Sequence, residues 1–227
     1  MMQKTQQETE AVEVLDRARG FWEKNSRMIM LASSIVIVLI GGYLVYKYMF
    51  RAPEEAKAAE AIFRAEANFR KDSVQLALNG DGSRDNPGFV KVIKNYGSTP
   101  SGNLAKLYAG ESYLQLGDYA NAVKYLKDFE ANGAKQVEAK VYGLLGDAYS
   151  EQKKNGEAIE NYKKAASTFD KDAAMASEYL FRAALLSEIS GKNKEAIDLY
   201  QELKDKFPRT EKGYAADKYL ARLGVTK

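Results

Sequence analysis

The sequence predicts an all-α protein: one N-terminal transmembrane helix, then a solenoid of antiparallel helix pairs closed by a C-terminal capping helix. Three observations predict it. A 19-residue run without a charge begins at Met28, three later segments align with one another on their small residues, and no alternating strand pattern is sustained anywhere.

The uncharged run, MIMLASSIVIVLIGGYLVY, continues through Lys47 to Phe50. As a helix rising 1.5 Å per residue, residues 28–50 reach roughly 34 Å, enough for a hydrocarbon core of about 30 Å. Phe21 and Trp22 precede it and Tyr43, Tyr46, Tyr48 and Phe50 close it, as interfacial aromatics do. Lys47 can snorkel to the headgroups. The run exceeds a signal-peptide core and no small-residue cleavage site follows, so it is expected to remain as an anchor. Arg17, Arg19, Lys24 and Arg27 before the span, against Lys47, Arg51 and Lys57 after it, give a narrow bias toward an inside N-terminus. Residues 1–27 then form a cytoplasmic tail. Val14, Leu15, Ala18, Phe21 and Trp22 fall at helical spacing there, suiting a solvated tail with a helical turn or a partner-binding helix.

Beyond the span, Pro53–Leu78 is rich in helix formers, with Ile62, Phe63, Ala67 and Phe69 as its apolar ridge. Asn79–Pro87 reads as a loop and Gly88–Tyr96 as a second helix. Residues 51–102 therefore make a degenerate first pair with an insertion. Residues 103–207 hold the three aligned segments, beginning at Asn103, Ala139 and Ser177. Each carries a small residue at its eighth place (Gly110, Gly146, Ala184) and alanine at its twentieth (Ala122, Ala158, Ala196). Leu126, Tyr162 and Tyr200 stand at the twenty-fourth, and Tyr113, Tyr149 and the less expected Ser187 at the eleventh. Two helices approach closely only where small side chains face each other and large ones fill the gaps beside them. Gly117-Asp118, Lys154-Asn155-Gly156 and Gly191-Lys192-Asn193 are the expected turns. Residues 208–227 supply the cap, an amphipathic helix through Tyr214, Ala215, Lys218, Tyr219 and Leu220.

Composition excludes much chemistry. There is no histidine and no cysteine, so triads, thiol nucleophiles and the common zinc or iron sites are out. An enzyme is disfavoured; no catalytic residue, cofactor or metal is expected. The loop Asn79–Asp85 begins like a calcium loop, but Arg84 stands where glycine should turn the chain and Val90 where a bidentate glutamate belongs. Net charge is +3 with both signs interspersed, which argues against nucleic acid as a partner.

The repeat pattern resembles the tetratricopeptide repeat, with small residue, Tyr, Gly-Asp-Tyr and Ala at the family's places. The spacings of 36 and 38 residues between the twentieth-place alanines depart from the usual 34, the excess falling around Asn132-Gly133 and Thr168–Ala173. The resemblance implies that helix A of each pair lines the concave face. That makes Leu104, Leu107, Glu111, Leu114, Lys140, Asp147, Phe181 and Leu185 the candidate partner-binding groove. Leu107, Leu114 and Phe181 would be apolar residues under a bound peptide, unless the N-terminal helix or the cap folds over them.

The whole layout, with Ala77–Gly82 before Gly88–Tyr119, resembles the YfgM-like ancillary subunit of the Sec translocon. That resemblance implies a bacterial inner-membrane protein with a periplasmic repeat domain. Its implied partners are the SecYEG translocon, a periplasmic prolyl isomerase and nascent or partly folded polypeptides. Phe207–Gly224 also resembles coordinator-type periplasmic repeat proteins, which implies instead a scaffold for envelope assembly, in cell division, outer-membrane biogenesis or a secretion machine.

Overall fold

The computed structural model describes residues 2–83 and 85–225, with side chains placed from Leu15 onward. Val14 and Arg84, named above, lie outside the residues whose side chains are described. The chain divides into two compact units, Met1–Pro53 and Glu54–Lys227.

In the first unit α1 runs unbroken over Met2–Val45. A π-helical segment follows at Tyr46–Arg51. The run from Met28 is therefore α-helical only to Val45, and its aromatic end is wound wider, with Tyr46 and Phe50 stacked at 6.4 Å between centroids. This helix is long and apolar enough to cross a membrane, and none of its most apolar stretch is buried within the protein. Leu15, Phe21 and Trp22 are exposed as well.

The second unit is a succession of helix pairs. Helix α2 spans Ala52–Arg70, α3 Val74–Asn79, α4 Gly88–Tyr96, α5 Pro100–Gln115, α6 Tyr119–Asp128, α7 Lys135–Glu151, α8 Asn155–Thr168, α9 Ala173–Ile189, α10 Asn193–Lys206 and α11 Glu211–Arg222. Pro53–Leu78 is not one helix. Asp72 adopts a left-handed φ of 58° and the Ser73 amide turns back to the Asn68 carbonyl at 3.0 Å, separating α2 from α3.

The pairs α5/α6, α7/α8 and α9/α10 follow the small-and-large register of the sequence. Ala122, Ala158 and Ala196 are fully buried, and Leu126, Tyr162 and Tyr200 fill the adjoining space. A Cβ on Gly110 would stand 2.5 Å from Leu126 Cγ, and one on Gly146 equally near the Tyr162 ring, so glycine is what lets these helices approach. Ser187, in place of tyrosine, is fully buried and satisfies its hydroxyl by donating to the Ala183 carbonyl at 2.8 Å.

Each A helix ends in the same bend. The amides of Asp118, Lys154 and Lys192 return to the carbonyls of Tyr113, Tyr149 and Ser187 at 2.9 Å, across a left-handed Gly117, Lys153 or Gly191, as helix C-terminal bends do. The second turn therefore sits at Lys153-Lys154, one to two residues earlier than expected. Asn155 and Gly156 already belong to α8. The excess of the first spacing lies in the link after α6, where Asn132 and Gly133 are both left-handed.

Helices α5 and α11 open alike. Thr99 donates to the Tyr96 carbonyl at 2.8 Å and accepts from the Gly102 amide at 3.0 Å. Thr210 repeats both bonds with Phe207 at 2.9 Å and Gly213 at 3.1 Å. In each case a Cβ on the glycine would stand 1.8 Å from that same carbonyl oxygen.

Two buried clusters result. One joins Ile62, Leu78, Phe89 and Val92 with Ala105 and Ala109; the other runs from Leu107 through Tyr149, Tyr162 and Tyr200 to Leu220.

Candidate partner-binding surface

The A helices α5, α7 and α9 succeed one another and carry all eight groove residues proposed from sequence. Their surroundings differ from the expected apolar channel. Leu107 is 6% exposed and Phe181 9% exposed, so neither is available to a peptide. Leu107 packs into the larger core cluster. Phe181 is covered by the cap: Tyr219 of α11 meets its ring edge-on at 5.0 Å and the Lys212 ammonium lies 4.8 Å over it. Leu114 and Leu185 are half-buried against the same core. Leu104 alone among the apolar members reaches 36% exposure.

What the A helices present instead is paired charge, running from each to the next. Glu111 of α5 meets Lys140 of α7 at 2.6 Å. Asp147 of α7 meets Arg182 of α9 at 2.8 Å. Glu178 and Glu188 of α9 meet Lys212 and Arg222 of α11 at 3.5 and 2.6 Å. Of these, Glu111, Lys140 and Asp147 were legible as groove residues; Arg182, Lys212 and Arg222 were not. Arg182 stands at the sixth place of its segment, next to the groove residue Phe181. Gly143, between Lys140 and Asp147 on α7, lies under the Tyr179 ring, 2.2 Å from where its Cβ would be.

Two of these pairs are tied to the core by tyrosine. The Tyr162 hydroxyl donates to Asp147 Oδ1 at 2.6 Å, the same oxygen that receives Arg182. The Tyr200 hydroxyl donates to Glu188 Oε2 at 2.9 Å, which also receives Arg222. Burial, and then the neighbouring carboxylate, push both phenols well above the ordinary tyrosine range. Glu178 loses some ionisation to burial, but Arg182 and Lys212 more than offset it and hold its carboxyl below the usual range. The first pair has Leu126 where these have tyrosine, and there the Glu111–Lys140 contact has no such tether.

Apolar space lies elsewhere, between α6, α7 and α8. A cleft of about 430 Å³ is lined by Phe129, Tyr142, Leu145 and Tyr149, with Lys127 and Lys164 at its edge. A second, of about 690 Å³, lies over Leu180 and Phe207 beside Lys163 and Lys206. In the calcium-like loop the exposed Asp81 is taken up by the loop itself, accepting from the Ser83 amide at 2.8 Å and from the Asn86 side chain at 3.2 Å.

Set against known proteins, residues 139–176 and 178–210 each match a family model described as a tetratricopeptide repeat. Among solved structures, a crystal structure of MamA protein aligns with a TM-score of 0.55 at 17% identity, covering 74% of this chain and 82% of that one. A second MamA crystal structure aligns at 0.44 and 20% identity, over 60% and 79% of the two chains. The first likeness is one of fold. No curated protein sequence matches. A model described as a tetratricopeptide repeat-like domain matches residues 19–142, more than half of the 227-residue chain, and the chain belongs to that family.

Proposed function

We propose that this chain is a single-pass inner-membrane adaptor of the Sec translocon, with its N-terminus cytoplasmic and its repeat unit in the periplasm. The repeat unit holds a folded partner there, a prolyl isomerase in the first instance. The observation that carries the reading is the series of ion pairs along the A helices, the face by which repeat solenoids bind. Both partners of Asp147–Arg182 keep about a third or more of their side chains exposed. Such a face offers fixed charges of both signs to a structured surface, which sets register and partner choice. It offers little to an extended apolar segment, since Leu107 and Phe181 are buried. An emerging polypeptide would find apolar contact in the Phe129–Tyr149 cleft instead.

The exposed run of α1 supports membrane insertion, because so large an apolar surface is costly in water and costless in hydrocarbon. The translocon itself is supported by the sequence resemblance over Ala77–Gly82 and Gly88–Tyr119. The sequence resemblance over Phe207–Gly224 supports a second reading, an envelope-assembly scaffold.

Photo-crosslinking in cells from Lys140 and, separately, from Ile37 tests both. Channel subunits from Ile37 with an isomerase from Lys140 fit the translocon reading. Division or outer-membrane components from Lys140, with no channel subunit from Ile37, would replace it by the second.

A further inference from the structure

Asparagine precedes glycine three times in the chain, at Asn79-Gly80, Asn132-Gly133 and Asn155-Gly156. In such a pair the glycine amide nitrogen can attack the asparagine carboxamide, because no side chain on the second residue obstructs the approach. Ring closure needs that nitrogen to swing onto the side-chain carbon, so the fold decides which pair can react.

Two of the three are held. Asn79 ends α3, where the Gly80 amide donates to the Leu76 carbonyl at 2.8 Å. Gly80 is also packed against neighbouring backbone, and a Cβ on it would run into the Asn86 carbonyl oxygen. Asn155 opens α8, and its carboxamide donates to Ser190 Oγ, beyond the end of α9, at 2.9 Å. Reaction there must break that bond and the first turn of the helix.

Asn132-Gly133 has neither restraint. It lies in the link between α6 and α7, with φ of 48° at Asn132 and 87° at Gly133. The bond that closes this turn runs from the Ala134 amide to the Ala131 carbonyl at 2.9 Å, passing over the Gly133 nitrogen without using it. Among the described residues nothing lies within 4 Å of a Cβ position on Gly133, and Asn132 is exposed. The Asn132 carboxamide meets the Glu130 carbonyl at 3.4 Å, too long to hold it.

We propose that Asn132 is a site of spontaneous deamidation and isomerisation, with water as the co-reactant. The Gly133 amide proton passes to hydroxide and the nitrogen bonds to Asn132 Cγ. The Cγ–Nδ2 bond breaks and ammonia leaves, closing a five-membered imide. Water then opens the ring at either carbonyl. Opening at Cγ restores the main chain and leaves aspartate; opening at the main-chain carbonyl carbon routes the chain through the side chain and leaves isoaspartate. Either product carries a carboxylate, two residues before the Ala134 start of α7, which no side chain caps. Asn132 also follows Ala131, which lines the Phe129–Tyr149 cleft. The modification therefore changes charge, and in isoaspartate the chain path, at the edge of that cleft.

The full chain in detergent is held in mildly alkaline buffer, folded or in urea, and sampled for peptide mapping by mass spectrometry. Each conversion of carboxamide to carboxylate adds one mass unit. In the folded protein Asn132 should convert roughly tenfold or more faster than Asn79 and Asn155, which react only from locally opened molecules. Its products should be aspartate and isoaspartate together, resolved by reversed-phase chromatography. In urea, where none of the restraints survives, the three rates should converge. Asn132 keeping its amide while either other site loses one would overturn the proposal. So would equal rates at all three sites in the folded protein, the folded ranking persisting in urea, or aspartate without its isomer.

Discussion

Replacing Gly146 by alanine tests whether the close approach of α7 and α8 organises the unit. The new methyl would stand 2.5 Å from Cδ1 and Cε1 of Tyr162 and 3.0 Å from Cγ, well inside the roughly 3.5–4.0 Å at which carbons attract. The ring has little room to withdraw. It is buried, its hydroxyl is held by Asp147, and it stacks on Tyr179 at 6.5 Å. Overpacking of this kind costs about 1–3 kcal/mol, while alanine's helix preference over glycine returns about 0.8–1 kcal/mol. The expected net loss is about 0–2 kcal/mol, a fall in Tm of up to roughly 8 °C for a unit of this size. Circular dichroism of the full chain in detergent, melted beside Gly156→Ala, measures it. Gly156 lies in α8 with nothing near its Cβ position, so that variant should melt higher. Ala184 occupies the eighth place of the third pair, so the topology itself tolerates a methyl there. A Gly146→Ala protein that melts as high as Gly156→Ala, taking alanine's helix preference at no packing cost, would refute the reasoning.

Lys153 is left-handed at a bend where the other two pairs use glycine; Lys153→Gly should raise stability by about 0.5–1 kcal/mol, and a lower urea midpoint would contradict that. Thr210→Ala should cost about 1 kcal/mol as a lost helix cap. Gly213→Ala should cost more in the same titration, because its methyl meets the backbone carbonyl of Phe207 rather than a movable side chain. Finally, the folded chain keeps the Tyr162 and Tyr200 protons more tightly than the unfolded chain, which releases them near pH 10. Their stabilisation is complete below about pH 10 and is lost as pH rises beyond it. Tyr162→Phe should flatten that alkaline loss and cost about 1 kcal/mol at neutral pH; an unchanged alkaline limb would show that the phenol is not responsible.

The repeat register was readable because it rests on side-chain volume, which a sequence states directly. Gly110 against Leu126 and Gly146 against Tyr162 needed no knowledge of the chain path. The groove was less readable for a reason of geometry. Whether Phe181 faces solvent depends on where α11 returns, and that is set by the Thr210 junction some thirty residues later. The ion pairs were missed similarly: Asp147 and Arg182 lie 35 residues apart, and neither helix alone distinguishes them from other surface charges. The second bend falls at Lys153 rather than at the conformationally freer Gly156, because lysine takes the left-handed position here. The division of α2 from α3 falls at Asp72-Ser73, a pair that favours turns and helix caps, but a short signal between helix formers on both sides is easily overridden.

Helix α5 belongs to both buried clusters, giving Leu107 to one and Ala105 and Ala109 to the other. In a solenoid whose repeats touch only their neighbours, unfolding starts at the ends. Here a front advancing from α11 and one advancing from α2 both stop at α5, because either half still folded retains one of its faces. Amide exchange should accordingly resolve two sub-global openings, each cheaper than complete unfolding, with the α5 amides exchanging only when both halves are open. The unit can thus melt on one side while the other still presents its surface.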